Sequence, residues 1–258
     1  MRAVAPKLYE RVSFSRNQGR VLLVSRKIIS RYGLKVLGGP FKGLKYVSTS
    51  AGSVFAPKLV GSYESELQTV IRDVISNQFR TLVDIGCAEG YYAVGLLVAM
   101  PKAHCIAFDM DANARKMCTE MAALNGVADR LNILEKCERQ ALNSLDLDGA
   151  FILCDCEGAE FELLDPVLVP QFQSCDILVE IHECFRPGVA KTLCERFAAT
   201  HLISLIDVSK RDPLRYPCLS FLGKKDRALA VEEFRPAGML WAIMRPLSKV
   251  SSKPQPEI

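Results

Sequence analysis

Thr81-Leu82-Val83-Asp84-Ile85-Gly86-Cys87-Ala88-Glu89-Gly90-Tyr91-Tyr92 decides how this chain is read. Leu82, Val83 and Ile85 read as the end of a buried parallel strand. Gly86 and Gly90 bracket a tight turn, and Ala93-Val94-Gly95-Leu96-Leu97 continues as a helix. A strand, a glycine turn and a helix in succession bring backbone N–H groups and a helix N-terminus to one edge of a sheet. That edge is a cradle for a polar or anionic ligand. The glycine spacing is Gly-x-Ala-x-Gly, so the dinucleotide fingerprint Gly-x-Gly-x-x-Gly is absent and a nicotinamide dehydrogenase is disfavoured. Asp84, two residues before the first glycine, suits an amino-acid cation better than a pyrophosphate.

Outward from this stretch the chain alternates strands and helices. His104 to Asp109 reads as a second buried strand, and Asn113 to Leu124 as a helix stopped by Asn125-Gly126. Leu131 to Leu134, Ala150 to Asp155, Asp176 to His182, His201 to Val208 and Leu240 to Met244 read as further strands. Ala159 to Leu164 and Gly188 to Ala199 read as helices. Such alternation specifies a parallel sheet covered on both faces. Before the first strand, Gly61 to Leu67 opens a helix running to about Phe79, with Leu67, Val70, Ile71, Val74 and Ile75 at helical spacing. Ser62 is its expected N-cap, and Glu64 and Glu66 suit the positive end of its dipole. Pro40 to Val47 reads as a turn followed by a short hairpin or edge strand.

The 258 residues, 49% of them hydrophobic, can bury one sizeable core. No apolar run approaches the ~20 residues of a membrane span, and the N-terminus lacks the pattern of a signal peptide. A soluble, cytoplasmic protein is therefore expected. Ten cysteines lie scattered through apparent core segments, where reduced Cys behaves as a small hydrophobe. Cys154-x-Cys156 and His182-x-Cys184 lack the Cys-x-x-Cys pairs of a structural zinc site. The net charge of +4 hides an asymmetry: residues 1–45 hold eleven Lys or Arg and one acid, Glu10. An acidic or membrane-surface partner for this basic segment is one reading, and an amphipathic helix packed on the main domain is the other. The helical pattern from Lys7 to Arg31 is expected to break near Gly19. The organisation expected is a basic helical extension over 1–39, a main domain over 40–247 and a loose tail over 248–258, with residues 1–6 also loose.

The first glycine motif resembles that of class I S-adenosylmethionine-dependent methyltransferases, and over residues 40–245 the chain resembles their FkbM-like branch. The residues that carry this are Pro40-Phe41-Lys42-Gly43, Gly61-Ser62-Tyr63-Glu64, Val83-Asp84-Ile85-Gly86, Phe108-Asp109, Asp155-Cys156-Glu157-Gly158-Ala159-Glu160, Val179-Glu180-Ile181-His182, and Arg235 before Trp241. Cys156 departs from the aliphatic residue of many relatives. The resemblance implies a Rossmann-like α/β sheet of order 3-2-1-4-5-7-6 with strand seven antiparallel. It also implies S-adenosyl-L-methionine as cofactor and O-methylation of a small molecule, sugar or lipid-linked glycan.

For the donor, Asp84 is expected near the methionine ammonium, with Gly86 and Gly90 admitting close backbone approach. Asp109 ends the second strand, where an acid accepts hydrogen bonds from ribose hydroxyls. Met110 is expected against the adenine, Glu138 at its edge, and Tyr63 or Glu64 in contact with the cofactor. For the acceptor, Asp155, Glu157, Glu180 and His182 end adjacent strands, and each pair two apart points to one side of extended backbone. His182 is the expected general base. The alternative is that these four residues hold a Mg²⁺-type ion, although no residue is assigned as a dedicated metal ligand. Two other functions compete. A nucleic-acid methyltransferase gains from the basic N-terminus but lacks the Asn/Asp-Pro-Pro-aromatic motif and any RNA-binding module. A non-catalytic cofactor-binding scaffold is disfavoured by the acids at both strand ends.

Overall fold

The structure is a computed structural model that describes the backbone of residues 5–235 and 238–250 and the side chains of residues 18–235 and 238–249. Seven strands form one sheet: β1 (Thr81–Ile85), β2 (His104–Phe108), β3 (Leu131–Leu134), β4 (Phe151–Cys154), β5 (Asp176–Ile181), β6 (His201–Asp207) and β7 (Leu240–Pro246). Their order is β3-β2-β1-β4-β5-β7-β6. β7 runs antiparallel to both β5 and β6, while the pairs among β1 to β5 are parallel. This is the Rossmann-like α/β sheet order that the resemblance implied. β4 and β5 are buried along their whole length, as strands covered on both faces must be, and the edge strands β3 and β6 are partly exposed.

Strand alternation divides the core into two layers. Leu82, Leu153, Leu178 and Ile243 face one layer. It is built by helices α1 (Ala5–Tyr32), α2 (Phe55–Val60), α3 (Gln68–Asn77), α4 (Tyr91–Ala99) and α5 (Ala112–Leu124). Val83, Ile85, Ile152, Ile177 and Met244 face the other. There the sheet is covered by α6 (Arg139–Ser144), α7 (Glu160–Leu163) and α8 (Val189–Phe197). Helix α9 (Lys224–Ala230) lies between β6 and β7 in sequence and packs on α1 and α2, and α10 (Leu247–Val250) follows β7. Among the described residues no helix is long and apolar enough to cross a membrane.

Three local expectations are corrected. Helix α1 runs unbroken through Gly19, whose cost of about 1 kcal/mol is tolerated within so long a helix. Ser62 is no N-cap: Gly61 closes α2 in the left-handed conformation, and the Ser62 hydroxyl donates back to the Pro57 carbonyl at 3.4 Å. Glu64 then sits at φ 46°, and α3 begins only at Gln68. Of the loose ends, residues 5–6 belong to α1 and 248–250 to α10, and the remainder lie outside the described residues.

Val21, Val24, Ser25 and Ile28 of α1 are buried, at i, i+3, i+4 and i+7. Part of the basic face is engaged as well. Arg20 and Lys27 pair with Asp226 of α9 at 2.8 and 2.9 Å, and Arg31 stacks 5.0 Å from the Phe221 ring. Side chains before Gln18 lie outside the described ones. Ile28→Ala should cost about 2–5 kcal/mol in urea unfolding, whereas Arg26→Ala, on the exposed face, should stay within about 0.5 kcal/mol. Equal effects would contradict the docking of α1 on the core.

Candidate active site

Because Leu82, Leu153 and Leu178 share one face, the residues two further along, Asp84, Asp155 and Glu180, emerge on that same face at the C-terminal ends of three adjacent strands. Asp155 lies just past β4 but continues the ladder, its amide donating to the Ile85 carbonyl at 2.8 Å. A cavity of about 730 Å³ opens there, lined by Asp84, Gly86, Asp109, Met110, Asp155, Glu157, Glu180, Lys58, Tyr63 and Arg235 among others. Its size is that of a small-molecule site.

One half of the cavity is built around the turn after β1. Gly86 has φ +89°, and a Cβ there would stand 1.7 Å from the Asp155 carbonyl oxygen, so only glycine lets the chain pass the end of β4. Its amide and that of Cys87 both donate to the Phe108 carbonyl, at 2.8 and 3.0 Å, which ties the turn to β2. Asp109 completes this tie: Oδ2 accepts from the Ala88 amide and Oδ1 from the Asp111 amide, both at 2.8 Å. Each oxygen keeps a lone pair for another donor. Asp84 is only 4% exposed, and neither of its oxygens has a hydrogen-bond partner among the described residues. Burial, and then the charge of Asp155, push its carboxyl up to about 7, with the nearby Ala93 amide only partly opposing them.

Lys58, also in the wall, is held from behind by Glu89 at 2.6 Å. Glu89 further accepts from the Tyr46 and Ser50 hydroxyls and the Ala51 amide at 2.5, 2.8 and 3.0 Å. Burial opposes the charge on Glu89, but Lys58 and these donors hold its carboxyl below the usual range.

The other half is a network of acids around one guanidinium. Arg235 pairs with Glu64 and Glu180, with Glu233 at 2.9 Å, and reaches the Tyr63 hydroxyl at 3.3 Å. Glu64 also accepts from the Tyr92 hydroxyl. Burial and the charge of Asp155 push Glu180 well above the carboxylate range, and burial raises Asp155. His182 is 1% exposed. Its Nδ1 faces Glu160 Oε1 at 3.2 Å, and the same oxygen accepts the His182 amide at 3.0 Å. The carboxylate of Glu160 can only accept, so Nδ1 carries a proton, and in the neutral imidazole the lone pair sits on Nε2. Nε2 lies 3.5 Å from Asp155 Oδ1 and 3.6 Å from Glu180 Oε2. Burial disfavours the imidazolium, yet the hydrogen bond to Glu160 and the charge of Asp155 outweigh it and raise His182 above its ordinary value.

The residues singled out from sequence are therefore not all gathered. Asp84, Gly86, Asp109, Met110, Tyr63, Asp155, Glu157 and Glu180 line the cavity. His182 stands immediately behind Asp155 and Glu180. Glu64 serves Arg235 and Tyr92 and does not line the wall. Gly90 starts α4 and lies against α5, where a Cβ would meet Cys118 Sγ at 2.8 Å. Glu138 is turned to solvent, paired with Lys136 at 2.7 Å, and Glu135, Lys136 and Cys137 line the cavity in its place. Sequence reading overlooked Lys58, Glu89 and Glu233, and it named Glu160 only within the Asp155 to Glu160 motif. The signal for Lys58 was a single lysine inside the apolar run Phe55-Ala56-Pro57-Lys58-Leu59-Val60.

No family model matches the chain. Over 68 residues it is 38% identical to the release factor glutamine methyltransferase of Cereibacter sphaeroides, a match covering 26% of this chain and about a quarter (24%) of that protein. Among solved structures it is similar to an O-methyltransferase from Bacillus cereus in complex with SAH (13% identity, 69% of this chain and 79% of that one, TM-score 0.46). It is also similar to the O-methyltransferase TomG from Streptomyces achromogenes in complex with SAM (14% identity, 69% and 78%, TM-score 0.47). A third similar structure is the C-terminal domain of precorrin-6Y C5,15-methyltransferase from Rhodobacter capsulatus (14% identity, 69% and 89%, TM-score 0.44).

Asp84 gives the ligand-free protein a pH signature. Its folded value of about 7 exceeds the ordinary 3.8, so between these pH values the folded state binds the extra proton. Stability from this group is present at low pH and lost as pH rises from about 4 to about 7, at most about 1.4 kcal/mol per pH unit. The stability difference between Asp84→Asn and wild type should therefore move in favour of the variant from pH 5 to pH 7.5. Urea unfolding at the two pH values measures it, and a pH-independent difference would contradict the burial of a free carboxyl.

Proposed function

We propose that this chain is a class I S-adenosylmethionine-dependent methyltransferase of the FkbM-like kind, acting on a hydroxyl of a small molecule, sugar or lipid-linked glycan. The observation that carries the reading is the partnerless, buried Asp84 carboxylate in the same cavity wall as the doubly anchored Asp109. A buried carboxylate without a donor is costly unless protonated or met by a cation. The ammonium of S-adenosylmethionine is such a cation. Ribose hydroxyls match the remaining lone pairs of Asp109, and Met110, 73% exposed at the rim, offers an apolar surface for the adenine. Lys58 lines the same wall and suits the methionine carboxylate.

When bound, S-adenosylmethionine supplies an activated methyl group, so alignment does much of the catalytic work. The acceptor half has to hold the hydroxyl in line and accommodate its proton. Asp155, Glu180 and His182 offer oxygen and nitrogen atoms for that purpose, with Glu157 at the mouth. The acids of this half disfavour a polyanionic acceptor at the reacting centre, which supports a neutral sugar or small molecule over a nucleic acid.

Calorimetry with S-adenosylmethionine tests the donor half. Asp84→Asn and Asp109→Ala should each weaken binding roughly ten- to a hundredfold, the worth of a charge-assisted contact. Wild-type affinity should fall as pH drops below about 7 and Asp84 takes up its proton, while the Asp84→Asn variant should stay flat. Undiminished affinity in both variants would contradict the reading. Transfer of labelled methyl groups to fractions of a cell extract would then identify the acceptor class.

A further inference from the structure

The acceptor half contains an arrangement that proton transfer alone does not require. His182 Nε2 is buried and has no hydrogen-bond partner among the described residues, although the imidazole is held on its other side by Glu160. It points between Asp155 Oδ1 at 3.5 Å and Glu180 Oε2 at 3.6 Å. One donor atom from each of the three residues lies within 4.8 Å of the others. Bonds of about 2.1 Å to a common centre, opened to near-tetrahedral angles, separate their ligand atoms by about 3.4 Å. The two measured separations match that figure.

The surroundings favour an ion over a simple hydrogen-bond cluster. Arg235 occupies Glu180 Oε1 and so turns Oε2 toward the imidazole. Arg235 is shared with Glu64 and Glu233, so one guanidinium serves three carboxyl groups beside Asp155. A carboxylate behind a histidine, fixing the tautomer and orienting the ring, is the support that metal-ligating imidazoles use. Glu160 supplies it here, itself held by the Gly158 amide at 2.8 Å.

We infer that Asp155, Glu180 and His182 form a binding site for a divalent transition-metal ion. The mixed nitrogen and oxygen donors select Mn²⁺, Fe²⁺, Co²⁺ or Zn²⁺ over Mg²⁺, whose preference is for oxygen. This narrows the four-residue Mg²⁺-type site drawn from sequence, since Glu157 is exposed and stands outside the three. The inference deepens the methyltransferase reading: an ion at this place would acidify an acceptor hydroxyl that reached it.

Mn²⁺ is the probe, because its magnetic resonance spectrum reports both occupancy and ligand type. The metal-free full-length protein should take up one equivalent of Mn²⁺, and pulsed electron paramagnetic resonance should show coupling to an imidazole nitrogen. The chain has three histidines. His201 is engaged on both ring nitrogens, by Thr200 and the Cys175 carbonyl, and His104 lies at the opposite end of the sheet. His104→Ala should therefore keep the coupling. His182→Gln and Asp155→Asn should each lower Mn²⁺ affinity at least tenfold while S-adenosylmethionine affinity changes less than threefold. An equal concentration of Mg²⁺ should leave Mn²⁺ in place. If wild type binds no Mn²⁺, shows no nitrogen coupling, yields its Mn²⁺ to equimolar Mg²⁺, or keeps its affinity in both variants, the inference is overturned. The nitrogen coupling in wild type keeps the test decisive should a variant fail to fold. Loss of Mn²⁺ binding with S-adenosylmethionine binding intact rejects the metal site alone. Mn²⁺ binding without S-adenosylmethionine binding rejects the methyltransferase reading alone.

Discussion

Buried carboxylates must be paired, hydrogen-bonded or protonated, and the open end of this sheet is arranged around that constraint. Three neighbouring strands deliver Asp84, Asp155 and Glu180 to one face, and the segments beside them add Glu64, Glu89, Glu160 and Glu233. Most of them find a partner. Glu89 has Lys58 and three further donors. Glu160 has the His182 ring and two backbone amides. Glu64, Glu180 and Glu233 share Arg235. Among the described residues Asp84 has neither an ion-pair nor a hydrogen-bond partner, and this is why the donor assignment turns on it.

Arg235 also explains how distant parts of the chain come to enclose one cavity. It lies shortly before β7 and contacts Glu64 of the segment between α2 and α3 and Glu180 of β5. Arg211 repeats the device one step away, pairing Glu66 and Glu233 at 2.7 and 2.8 Å. These pairs are largely desolvated, so removing one partner would strand a buried charge at a cost of about 3–5 kcal/mol. The pairs therefore specify how the N-terminal segments sit over the strand ends, while the apolar layers supply the general driving force of folding.

What the sequence made legible follows from the range of the forces involved. Strands and helices are set by local periodicity, and the seven strands could be placed to within a residue or two. β4 and β5 stood out because Phe151-Ile152-Leu153-Cys154 and Ile177-Leu178-Val179 are continuous apolar runs. The sheet order came from the resemblance, since periodicity carries no information about which strands pair. Asp84, Asp109, Asp155 and Glu180 were readable because an acid ending an apolar strand is conspicuous. The Lys58–Glu89 pair, 31 residues apart, and the Arg235–Glu64 pair, 171 apart, were not, because only the folded chain brings them together. Glu138 was misplaced for a related reason: its position just before α6 says which element it adjoins, and not which way it faces. Ser62 was assigned to a helix start because cap residues look alike in sequence whichever end of a helix they serve.

The central claim is that the cavity beside Asp84 receives the methyl donor. A crystal structure with S-adenosylhomocysteine tests it most directly. The amino nitrogen of the ligand should lie about 3 Å from an Asp84 oxygen, with ribose hydroxyls within hydrogen-bond reach of Asp109. The ligand bound elsewhere, or bound in this cavity with Asp84 still without a partner, would contradict it.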